Sequence, residues 1–141
     1  MRRMFLNGTA MSGERDHGAV AGATFLGAAQ TAPRYRFVAV DDAFPGLLPV
    51  VGEGFSITGE LYELTEAMLF DGLLPEEPPE LELGTIELID GSIVCSMHLQ
   101  PERIGPGQHA VDISELGGWR AYRRFLDDAR QLDARLGRSM P

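Results

Sequence analysis

The sequence predicts an α+β domain, a mostly closed mixed sheet accompanied by two helices. Three observations carry this. Apolar or alternating runs of strand length recur between glycine and proline punctuation from Arg3 to Leu64, an Asp90-Gly91 pair joins two further runs, and the apolar period lengthens to three or four residues after Leu64 and again after Leu116.

Taken in order, Arg3 to Leu6 reads as a first strand that ends in the loop Asn7-Gly8-Thr9-Ala10-Met11-Ser12-Gly13. Two glycines in seven residues let backbone amides turn toward a ligand. Residues 14–21 are weakly helical. Strands follow at Ala23 to Ala28, Arg34 to Val40, Leu47 to Val51 and Phe55 to Leu64, separated by Thr31-Ala32-Pro33, Phe44-Pro45-Gly46 and Gly52-Glu53-Gly54. Thr65 is an N-cap for a short helix carrying Met68, Leu69, Leu73 and Leu74, which Pro75 closes. Leu83 to Ile89 and Ser92 to Leu99 form a hairpin across Asp90-Gly91, whose two central residues are expected to accept positive φ. The last helix carries Leu116, Trp119, Tyr122, Phe125 or Leu126, Ala129, Leu132 and Leu136, with Asp112 and Glu115 spaced as a capping box.

At 141 residues and 44% apolar composition, the chain is long enough for one self-sufficient core. Its formal charge of −9 argues against a phosphate backbone or an anionic membrane as partner, so neither nucleic acid nor membrane is expected. The charge is uneven: residues 41–102 hold fourteen acids and no arginine. All twelve basic residues are arginine, which excludes lysine Schiff-base chemistry and a P-loop lysine. The single cysteine, Cys95, makes no internal disulfide and suits a reducing cytoplasm. It shares a strand face with Ile93, Met97 and Leu99 and reads as a small core residue, with His98 on the opposite face. The apolar run Met4-Phe5-Leu6 is too short for a signal peptide, and no run approaches a membrane span.

Little catalytic equipment remains. His17, His98 and His109 lack zinc-binding spacing, so no metal or other cofactor is expected, and no Gly-x-Ser-x-Gly elbow is present. Glu76 and Glu77 lie between Pro75 and Pro78-Pro79, which restrict the backbone. They form either an exposed acidic turn or the rim of a cleft, where burial would raise a carboxyl pKa into the range of a general base. The Asn7 to Gly13 loop poses the matching choice between a plain connection and a cradle for a carboxylate, carbonyl or oxyanion.

The order of Asn7-Gly8-Thr9-Ala10-Met11, Phe44-Pro45-Gly46-Leu47, Gly59-Glu60-Leu61-Tyr62-Glu63-Leu64, a helix and then an acid resembles the γ-glutamylcyclotransferase-like superfamily. Within it, the series Thr31-Ala32-Pro33-Arg34-Tyr35-Arg36, Glu77-Pro78-Pro79-Glu80-Leu81, Leu88-Ile89-Asp90-Gly91 and Asp112 to Tyr122 is most similar to the C-terminal domain of allophanate hydrolase and its stand-alone relatives. The resemblance implies a compact mixed β-barrel of about six to seven strands flanked by helices. It also implies a small-metabolite enzyme acting on an acidic or amide-bearing substrate. Gly8, Thr9, Ala10 and Met11, with Asn7 where the cyclotransferases have tyrosine, would be the substrate cradle. Tyr62 would pack the pocket wall. Glu76, placed by its distance from Gly59, would be the general acid/base, and a one-residue shift makes it Glu77. The alternative is a non-catalytic accessory module for a separate amidase, docked through the arginines Arg120, Arg123, Arg124 and Arg130 of the last helix.

Overall fold

The computed structural model describes residues 1–137. Eight strands form one mixed sheet: β1 (Arg2–Leu6), β2 (Thr24–Gln30), β3 (Tyr35–Val40), β4 (Phe44–Pro49), β5 (Thr58–Leu64), β6 (Leu81–Glu87), β7 (Ile93–Leu99) and β8 (Ala110–Asp112). The order is β2-β5-β1-β7-β4-β3-β8, and β6 lies on β7. Among the described residues one α-helix, α1 (Trp119–Arg135), follows the last strand. The mixed α+β class is as expected, but the sheet is not closed into a barrel. Its path ends on β2 and β8, and only an isolated bridge between Thr31 and Leu88 links the end of β2 to the end of β6.

The core gathers buried positions of these strands, among them Met4, Phe5, Phe37, Leu47, Leu64 and Ile86, together with Ile57 just before β5, and α1 closes it with Trp119, Tyr122 and Leu126. Beyond Leu126 the helix leaves the core. Of the alternatives Phe125 and Leu126 it is Leu126 that is buried, while Phe125, Leu132 and Leu136 are exposed. Asp112 does not cap α1. Its Oδ1 accepts from the Ser114 N–H at 2.9 Å and the Ser114 hydroxyl at 2.6 Å, holding a 3₁₀ turn over Ser114–Leu116, and Gly118 takes the N-cap position.

Three local expectations change for backbone reasons. Phe44-Pro45-Gly46 is strand rather than turn. The chain reverses earlier, at Asp41 and Asp42, whose φ values of 54° and 53° and the Ala43 N–H to Val40 carbonyl bond make a type I′ turn. Asp41 tolerates this conformation because its carboxylate accepts the His109 N–H at 2.8 Å, and Asp42 because it accepts the Tyr122 hydroxyl. The β6–β7 hairpin forms, but only Gly91 has positive φ. The bonds Gly91 N–H to Leu88 carbonyl and Leu88 N–H to Ser92 carbonyl define a three-residue loop with a glycine bulge. In β7, Ile93 is exposed and Cys95 half-buried, while Val94 and Ser96 on the other face are buried, because β7 has its left and right edges paired and both faces partly covered.

After β5, the Thr65 hydroxyl caps the next turn by accepting the Met68 N–H at 3.1 Å. The segment expected as a short helix is a widened π turn over Met68–Leu73 running into a 3₁₀ turn at Leu74–Glu76. Pro75 supplies no N–H to an α-helical ladder, so a regular helix cannot pass through it. Gly59 shows how tightly β1 and β5 are packed. A Cβ there would sit 2.3 Å from the Leu6 carbonyl oxygen and 2.6 Å from the Phe5 ring, so Gly59→Ala is expected to cost about 1–3 kcal/mol, read as a lowered urea midpoint. No helix among the described residues is long and apolar enough to cross a membrane.

Candidate active site

The site arises from a split in the sheet. β6 occupies one edge of β7 along its whole length, from Glu87–Ile93 to Leu81–Leu99. The other edge is shared by two parallel neighbours, β1 at Met4–Cys95 and β4 at Leu47–His98. Where β1 gives way to β4 the two strands part. The gap is a cavity of about 30 Å³, room for roughly two water molecules or the end of a small ligand.

The end of β1 and the loop after it form one wall, through Asn7, Gly8, Thr9 and Ala10. Phe44 and Pro45 of β4 form another, and Ser96 of β7 lies at the floor with its hydroxyl tied to the Phe5 carbonyl at 2.9 Å. Gly8 lies so close to Pro45 that a Cβ would come within 2.6 Å of the proline ring. Among the described residues, the N–H groups of Gly8, Thr9 and Ala10 donate no hydrogen bond within the chain, while the Gly8 and Thr9 carbonyls accept from Met11 and Asp16. The loop is thus folded on its carbonyl side and leaves donors free at the cavity wall.

Of the two adjacent glutamates, Glu77 lines the cavity and Glu76 is exposed outside it. The 3₁₀ turn at Leu74–Glu76 ends with the Glu77 N–H on the Leu74 carbonyl, and Glu77 itself is extended, with φ −72° and ψ 144°, before Pro78. That reversal sends neighbouring side chains to opposite sides. Burial pushes the Glu77 carboxyl up to about 7, reinforced by the negative charges of Asp16 and Glu76. Neighbours such as Phe44, Pro45, Leu81 and Met97 explain the lost hydration. Among the described residues no arginine is paired with it.

Sequence comparison matches residues 2–124 to the allophanate hydrolase C-terminal domain. The chain belongs to that family. It is similar in structure to c4763, a protein specific to uropathogenic Escherichia coli, at 33% identity and TM-score 0.78 over 87% of this chain and 95% of that one. It is similar to Kluyveromyces lactis allophanate hydrolase at 26% identity and TM-score 0.80, over 89% of this chain but 21% of the hydrolase. An AIG2-like protein from Mus musculus shares 25% identity and a TM-score of 0.56 over 75% of this chain and 80% of its own. No curated protein sequence gives a significant match. The resemblance in family and overall α+β class is therefore shown, with an open sheet in place of the barrel it implied.

Within this family member, Met11 and Tyr62 lie outside the cavity lining. Met11 is buried beneath the loop. Tyr62 donates its hydroxyl to Glu60 Oε1 at 3.1 Å, so it acts on the loop through a second residue. Glu60 is 7% exposed and holds Ser12 by accepting its N–H at 2.7 Å and its hydroxyl at 2.6 Å. Arg120 of α1 completes the clamp, donating to the Ser12 carbonyl at 2.6 Å and lying 3.6 Å from Glu60. Burial works to raise the Glu60 carboxyl, but the bonds from Ser12 and Tyr62 and the Arg120 charge outweigh it and hold it below the usual range. Sequence reading assigned Glu60 no role. Its signal was present: an acid at an inward strand position, alternating with Tyr62 and Leu64, needs partners.

Proposed function

We propose that this chain is a small-metabolite enzyme whose cavity takes a carboxylate or carbonyl against the Gly8, Thr9 and Ala10 N–H groups, with Glu77 as general acid/base. One observation carries the reading: free backbone donors and a carboxyl poised near neutrality line the same cavity. The donors stabilise negative charge developing on oxygen, and Glu77 takes a proton from an attacking amine and returns it to the departing group, which leaves protonated. The 30 Å³ volume admits only the end of a ligand, so the remainder lies outside the cavity. Family membership points to two substrate types: γ-glutamyl amines, closing to a lactam, and the carboxylated carbamate left when an amidase cleaves allophanate, breaking down with loss of carbon dioxide. Both are tested directly by incubating the protein with γ-glutamyl amines and with freshly generated allophanate cleavage product. Lactam or carbon dioxide release is followed for the parent and for Glu77→Gln; equal rates in the two would end this assignment.

A second reading, an accessory module acting beside a separate amidase, is favoured by the similarity of this chain to a fifth of Kluyveromyces lactis allophanate hydrolase. Its expected result is co-purification with an amidase whose rate changes on addition of this chain.

A further inference from the structure

Sharing Thr9 with the Glu77 cavity is a second, wider cleft of about 460 Å³, lined by residues of the Asn7–Gly13 loop and its continuation and by the first turns of α1. Its lining brings together Arg15, two residues after the loop, and Arg120, Arg123 and Arg124 from the helix, with Thr9, Glu14 and Asp127 among the other lining residues. In a chain of formal charge −9, this gathers a third of the arginines in one concavity.

The arginines are not equivalent. Arg120 is committed to Ser12, Glu60 and Glu14. Asp127, the other acid on the rim, pairs with Arg130 at 3.6 Å. Arg123 and Arg124 are exposed and, among the described residues, have no carboxylate partner within salt-bridge distance. The Arg123 guanidinium lies 6.0 Å from the ring of the buried Trp119, and Arg15 is anchored by its bond to the Ala43 carbonyl at 2.7 Å and by an exposed ion pair with Asp16 at 3.4 Å, so both are held at the rim. Residues 120, 123 and 124 stand at helical spacings of three and four, where like charges repel and weaken the helix. Among the described residues no ion pair offsets the charge of Arg123 and Arg124, although Glu14 and Asp127 line the same cleft. An anion bound between those two arginines and Arg15 would.

We infer that this cleft is a binding site for a small dianion with terminal oxygens, gripped by Arg15, Arg123 and Arg124, with the guanidinium forks matching carboxylate or phosphate geometry. The volume lies in the range of small-molecule sites. Because Thr9 lines both this cleft and the Glu77 cavity, the anion also braces the loop that forms the cavity wall. The inference does not depend on the proposed chemistry at Glu77.

The test is calorimetric titration and thermal unfolding of the full chain with malonate and, separately, with inorganic phosphate, against chloride at matched ionic strength. Saturable binding with a raised Tm for at least one dianion is expected, and the stronger of the two identifies the source chemistry. R123Q/R124Q is expected to weaken that binding roughly tenfold or more while its own Tm without anion is unchanged or higher. R135Q, on the same helix away from the cleft, and E77Q are expected to bind as the parent does. The proposal is overturned if neither dianion exceeds chloride, or if R135Q loses binding as fully as R123Q/R124Q. Loss of turnover in E77Q with intact anion binding would leave this site standing on its own.

Discussion

Stability is expected to fall as pH rises from about 4.5 to about 7, because the Glu77 carboxyl holds its proton more tightly in the folded protein than in the unfolded chain. Its folded value of about 7 exceeds its ordinary 4.5, so in that window the native state binds more protons and raising pH favours unfolding. The effect is on the order of 3 kcal/mol, each tenfold change in proton affinity contributing about 1.4 kcal/mol. Glu77→Gln removes the ionisation while keeping the shape. The variant should match the parent at pH 4 and exceed it by up to about 3 kcal/mol at pH 8, as read from urea unfolding at both values. Parallel pH profiles for the two proteins would mean that the carboxyl is hydrated and carries no stored cost. The same substitution should lower turnover on an accepted substrate by about 10² to 10⁴. Gain of stability with loss of rate is what a strained functional group produces and a structural one does not.

Glu60→Gln is expected to act in the opposite direction, destabilising the protein by roughly 3 kcal/mol at neutral pH. The carboxylate accepts three hydrogen bonds from Ser12 and Tyr62 and faces Arg120. A charged acceptor contributes about 1.5–3 kcal/mol per bond, and an amide replaces only part of that set. Because the Glu60 carboxyl is held below its usual range, its contribution is complete above the ordinary carboxylate value and is lost as pH falls through the depressed one. The difference between Glu60→Gln and parent should therefore shrink in acid. Since Glu60 grips Ser12 rather than the cavity, amide exchange in residues 8–13 should speed up before global unfolding does. An unchanged exchange pattern would show that the loop is held by other contacts.

These two glutamates mark how far residue patterns reach. The glycine-bearing loop after β1 was legible as a loop, but not whether it is a plain connection or a cradle, because the bonding of its amides depends on what surrounds them. The choice between Glu76 and Glu77 was not legible either, because it turns on one extended residue after a 3₁₀ turn, a matter of a single ψ angle. The Asp41–Asp42 turn was missed because two aspartates with positive φ are unfavourable locally and are held there by His109 and Tyr122, far along the chain. The outer half of α1 kept its apolar spacing but not its burial, since spacing says which face is apolar and not whether anything covers it.

By itself the sequence determined the α+β class, most strand positions and the family, because alternation, turn residues and ordered motifs are properties of neighbours along the chain. Tertiary structure alone decided that the sheet stays open, that β1 and β4 share one edge of β7 and part to leave a cavity, and that Glu77 rather than Glu76 lines it. Hydration, charge and free space depend on which distant segments meet, and those meetings set the proton affinity of a carboxyl.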